Sequence, residues 1–70
     1  MNDLCKYRVQ IDGRADENEL NALSPVEIRV ESSEAESTWL SVLTDQSGLI
    51  GLMRHLHGLG FVFLSVNRQG

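Results

Sequence analysis

Seventy residues sit near the lower limit at which one hydrophobic core holds a chain together without disulfides or metal, so a single domain, residues 1–70, is expected and a second is excluded. With 41% hydrophobic and 23% charged residues the composition is that of an ordinary globular chain, away from the disordered regime. A net charge of −4 disfavours nucleic acid, which is bound through clustered Lys and Arg, and here Lys6, Arg8, Arg14, Arg29, Arg54 and Arg68 are dispersed among acids.

Met1 to Lys6 shows neither the basic start nor the apolar run of a signal peptide, and no stretch approaches the ~20 apolar residues of a membrane span. The lone Cys5 cannot make an intramolecular disulfide, which suits a reducing compartment. A cytoplasmic protein without membrane partners is therefore expected.

Lys6 to Asp12 alternates so that Tyr7, Val9 and Ile11 share one face of a first strand, with Cys5 in phase with them and Gly13 ending the run. Ala15 to Leu23 carries acids early and Leu20 and Leu23 three apart, which suits a short helix or a pair of loose turns. Ser24-Pro25 breaks it, because the residue before proline is driven out of the α region. Val26 to Glu31 alternates again, with Val26, Ile28 and Val30 on one face.

Ser32 to Ser37 is a short polar connection that can turn a hairpin. Thr38 to Thr44 follows, rich in β-formers and apolar on both phases, Trp39 and Leu43 against Leu40 and Val42. A central strand explains this, and so does a sheet face covered by a partner.

Asp45 can cap the next helix, on which Leu49, Leu52, Met53, Leu56 and Leu59 fall within an arc of roughly 120°. Gly60 supplies the left-handed residue that stops it. Phe61 to Val66 is a nearly unbroken apolar run, expected to be a strand with both faces covered. The order strand, weak helix, strand, strand, strong helix, strand predicts an α+β fold of the ferredoxin-like split βαβ kind (βαββαβ), a four-stranded antiparallel sheet with its helices on one face. If residues 15–23 are only loop, a sheet with a single helix results.

No catalytic constellation is readable. His55 and His57 point about 160° apart on a helix and cannot share a metal ion, and Ser41, Ser47 and Ser65 lack a nucleophile elbow or an orienting acid. A non-enzyme without metal or cofactor is expected. Gly48, Gly51 and Gly58 lie on the helix side away from the leucines, each costing about 0.5–1 kcal/mol relative to Ala in a helix interior. Either they are tolerated flaws, or they let another backbone or a ligand approach.

The stretch Leu43-Thr44-Asp45-Gln46-Ser47-Gly48-Leu49-Ile50-Gly51-Leu52-Met53, continued by Leu59-Gly60 and Leu64-Ser65-Val66-Asn67, resembles a group of small uncharacterised bacterial proteins sharing V-x-D-Q-x-x-L-x-G-L-L, then L-G-x-x-L-L-S-V-N. It is also similar, more loosely, to the ACT regulatory domain, whose Asp-x-x-Gly-Leu opens a helix beside an amino-acid site, with Ser47 where that family usually has proline. The ACT resemblance implies a small-molecule site at Asp45 and Gly48.

The leading expectation is a non-enzymatic protein-interaction module that self-associates as a homo-oligomer, a dimer, or meets another protein partner. Leu40, Val42, Val62 and Leu64, together with Gly51, form the expected interaction surface, since a single-layer sheet would otherwise expose the first four to water. An ACT-like sensor of amino acids is the alternative.

Overall fold

The computed structural model describes residues 4–22 and 24–69. Its elements run β1 (Cys5–Asp12), α1 (Glu17–Asn21), β2 (Arg29–Ser33), β3 (Ser37–Thr44), α2 (Gln46–Gly58) and β4 (Phe63–Arg68). One four-stranded sheet has the order β2-β3-β1-β4, every neighbour antiparallel. This is the α+β, βαββαβ architecture that the element order predicts, with β1 and β3 central.

The pairing settles which phase of β3 faces inward. Val9 lies opposite Leu40 and Tyr7 opposite Val42. Paired residues share a sheet face, so the inward phase of β1 carries Leu40 and Val42 with it beneath the helices. Val9, Ile11, Leu20, Ile28, Leu40, Leu52 and Leu56 are almost completely buried and form the core with Ala15 and Val42. Cys5 is a free, buried thiol at the start of the same face.

Helix α1 is one short turn and a half. The Asp16 carboxylate accepts from the N–H groups of Asn18 and Glu19, and Leu20 is its one buried side chain. Leu23, the other apolar residue of the expected helix, lies outside the described residues. Helix α2 starts as expected, with Asp45 Oδ1 accepting from the Gly48 N–H at 2.8 Å. It ends in a Schellman arrangement: the Phe61 N–H donates to Leu56 O, the Gly60 N–H to His57 O, and Gly60 has φ +94°.

Two spans differ from expectation. The ladder of β2 opens at Arg29 opposite Ser41, leaving Val26 and Ile28 to pack in the core ahead of the strand. There the Asn21 side chain donates to the Ile28 carbonyl and accepts from its N–H, both at 2.8 Å. The last strand begins at Phe63 and lies at the sheet's edge, with Leu64 and Val66 exposed, so it is not covered on both faces.

Buried polar groups tie the loops to this frame. Thr38 is wholly buried; its hydroxyl donates to Gly13 O at 2.8 Å and accepts from the Ala15 N–H at 3.0 Å, which fastens the β1–α1 loop onto β3. Such a hydroxyl is costly to leave unpaired in the interior. Replacing the Asn21 clamp should also be costly. Asn21→Ala strands the N–H and carbonyl of Ile28 at the β2 edge and is expected to lower unfolding free energy by about 1–3 kcal/mol in urea titration.

Candidate functional site

Four expected surface residues separate into two groups. Leu40 and Val42 are core residues, so they contribute nothing to an exposed sheet face; their burial corrects that expectation, and its cause is the β1–β3 register. Val62 and Leu64 are exposed, at 58% and 51%. They sit before and within β4.

The open face of the sheet carries the other phase of β3, where Trp39 and Leu43 lie opposite Gln10 and Lys6 of β1. Trp39 is not bare there. The Arg8 guanidinium stacks 4.2 Å from its ring centroid, and Glu31 of β2 holds Arg8 at 2.7 Å with Lys6 at 3.9 Å from the same carboxylate. The stack covers indole carbon with a charged group that keeps its water, a stabilising cation–π arrangement. Beside it, Lys6, Glu27, Arg29, Ser41, Val42 and Leu43 line a recess of about 420 Å³.

A different apolar surface lies where α2 meets β4. Ile50, Met53, Arg54, His57 and Phe63 line a shallow recess of about 400 Å³ whose walls are apolar, Arg54 and His57 contributing carbon. Helical spacing explains it: Ile50, Met53, Arg54 and His57 follow at i, i+3, i+4 and i+7, one stripe of α2 beside the stripe that Leu52 and Leu56 bury. His57 is exposed. All ten acids stand at or before Asp45, so Arg54 and Arg68 are the charges that accompany this flank along the chain. Flanking sequence signals for this surface existed in Ile50 and Met53, which border the leucine arc.

The edges of the sheet are unequal. At the β2 edge, Asn21 engages both backbone groups of Ile28 and the Glu17 carboxylate accepts from the Val30 N–H at 2.9 Å. Glu31 adds a bulge there, since the register slips between Val30 and Ser32. Among the described residues no side chain bonds the outer edge of β4 in this way.

Asp45 and Gly48 are both engaged in helix α2's first turn. The Asp45 carboxylate and the Gly48 N–H bond each other, and a β-carbon on Gly48 would collide with Thr44 Oγ1 while lying 3.3 Å from a Val26 methyl. Close helix-to-strand packing therefore explains this glycine without a ligand. Gly51 faces the chain's own Pro25, whose Cγ would sit 3.6 Å from an added β-carbon, an ordinary contact, so its place in an intermolecular surface is not required.

His55 is half-buried with its Nε2 unpartnered among the described residues, and no group of three His, Cys, Asp or Glu there is placed to hold a metal ion. No described helix is long and apolar enough to cross a membrane.

The two glycines make opposite forecasts. Gly48→Ala should destabilise the domain by about 1–3 kcal/mol through overpacking against buried Thr44. Gly51→Ala should stabilise it by up to about 1 kcal/mol, because the site has room and alanine is the better helix former. Denaturant titration of both variants decides, and a destabilised Gly51→Ala would show a closer neighbour than Pro25.

No curated protein and no solved structure matches the chain. A family profile matches residues 6–67, nearly from the first strand through the last. The chain belongs to the family described as a domain of unknown function, DUF8691.

Proposed function

We propose that this domain is a non-enzymatic interaction module whose working partner is a second copy of itself, met through the flank formed by α2 and β4. One observation carries the reading: the apolar recess of Ile50, Met53 and Phe63 lies beside an edge strand whose Leu64 and Val66 are exposed, which sets several exposed apolar residues together on one flank, while Leu43 stands exposed on the open sheet face. Isolated exposed apolar residues are ordinary, whereas a contiguous patch beside an unpaired strand edge is a place where association buries area that folding cannot. A 70-residue core gains proportionally from that burial.

The free, buried Cys5 suits action in a reducing compartment. The open sheet face is a poorer candidate, since Arg8 and Glu31 already cover Trp39.

Ile50→Glu tests the surface with little harm to the fold. Ile50 is 45% exposed, and a glutamate four residues before Arg54 adds a favourable helix pair of about 0.2–0.5 kcal/mol. Sedimentation velocity should show concentration-dependent dimer for the wild-type chain and monomer for Ile50→Glu at the same concentrations, with unchanged urea midpoint or a slightly raised one. Wild-type protein that stays monomeric throughout would end the self-association reading, and an Ile50→Glu dimer of wild-type strength would move it off this flank.

A further inference from the structure

We infer that the second copy pairs β4 to β4 about a two-fold axis, antiparallel, so that the two sheets join into one of eight strands and assembly stops at the dimer. The inference rests on the self-association reading and names its geometry. It begins with the backbone of β4. The Gln69 N–H donates to Lys6 O at 2.6 Å, and β4 pairs Arg68 with Tyr7, Asn67 with Arg8, Val66 with Val9 and Ser65 with Gln10. In an antiparallel ladder, bonded and non-bonded pairs alternate. Asn67 and Ser65 therefore turn their backbone groups toward β1, and Val66 and Arg68 turn theirs to the outer edge.

That outer edge is open to a partner strand, and the other edge of the domain cannot be one. Asn21 and Glu17 already bond the outward N–H groups of Ile28 and Val30. A head-to-tail chain of sheets is thereby blocked. One open edge on each copy leaves a two-fold contact, which uses the same patch twice and closes.

Charge allows this register. With the axis at Val66, that residue meets its own copy and Arg68 lies opposite Leu64 of the second chain, the residue at which the register of β4 with β1 slips. The two Arg68 residues then stand four strand positions apart, about 13 Å at ~3.3 Å per residue, beyond the ~8 Å screening length of physiological salt. Val66 shares the helix-side face with Val9, so the axis brings apolar side chains together next to the Ile50, Met53 and Phe63 recess.

Area sets the strength. The flank is one six-residue strand long, about 20 Å at ~3.3 Å per residue, and no deeper than the domain's least extent of 18 Å. Such a contact belongs with interfaces burying less than ~1,200 Å² in total, the class of weak and transient complexes. A dissociation constant in the micromolar range is expected.

Amide exchange on the full chain, followed by NMR at about 10 µM and about 500 µM, concentrations chosen to bracket a micromolar constant, tests the pairing without any substitution. Exchange of the Val66 and Arg68 amides should slow at the higher concentration, while the outward Ile28 and Val30 amides change little. Sedimentation on the same samples should show monomer and dimer and nothing larger.

Val66→Pro removes only an outward N–H, which an edge strand tolerates, and should weaken dimerisation at least tenfold. Val66→Lys provides the same readout should the proline variant fail to fold. A dimer whose Val66 and Arg68 amides exchange equally at both concentrations would overturn edge pairing and leave self-association standing. A monomer at 500 µM would overturn both, and a ladder of higher masses would overturn closure.

Discussion

The Asn21 side chain, bonded to both backbone groups of Ile28, decides which side of this sheet is finished. An unpaired strand edge offers donors and acceptors to any extended chain, and proteins blunt such edges with charges, bulges or a covering element. Here the cover comes from a helix of five residues, too short to stand alone. It is held by its Asp16 cap and by Leu20 in the core, and in return it places Asn21 and Glu17 against β2. The clamp therefore couples a weak helix to a short strand, and each is better ordered for the other's presence.

The sheet's two faces are managed by different means. Toward the helices, an ordinary apolar core is built on Val9, Ile11 and Leu40, with Thr38 as the buried polar tie. Away from them, Trp39 would be a large apolar body in water, and the Arg8–Glu31 pair lies across it. Exposed ion pairs contribute little by themselves. In this position the pair's main effect is to keep guanidinium carbon packed on the indole. Apolar surface remains uncovered along the α2–β4 flank, and at Leu43 on the open face.

Much of this was legible from local patterns. Alternation from Lys6 to Asp12 gives β1 and its inward phase, the Asp45 cap and Gly60 bound α2, and the element order yields the sheet topology. What was not legible depends on partners distant in the chain. Thr38 to Thr44 is apolar on both phases, and only the pairing of Val9 with Leu40 shows that Trp39 and Leu43 face outward. For the same reason the expected surface mixed two buried residues, Leu40 and Val42, with two exposed ones, Val62 and Leu64. Phe61 to Val66 reads as a covered strand because hydrophobicity alone cannot tell a central strand from an edge strand awaiting a neighbour. The Asn21 clamp spans seven residues across a proline, and no short-range motif announces it.

The misreading of the last strand has a physical interpretation. A segment as apolar as Phe63-Leu64-Ser65-Val66 is what a covered strand needs, and in the isolated domain it lies at the edge with two of those residues exposed. Edge strands that remain exposed usually carry inward charges or proline to prevent unwanted pairing. β2 shows the guarded form, with Arg29, a bulge at Glu31 and the side-chain clamp; β4 has an irregular register near Phe63 and only Arg68, at its far end. What separates the two edges is the side-chain clamp, which covers the backbone beside β2 and has no counterpart on β4 among the described residues. In a small, marginal fold such an edge would otherwise recruit any extended chain. The proposed pairing of β4 with itself would remove that hazard with no additional sequence, because a two-fold axis covers both exposed edges in a single contact.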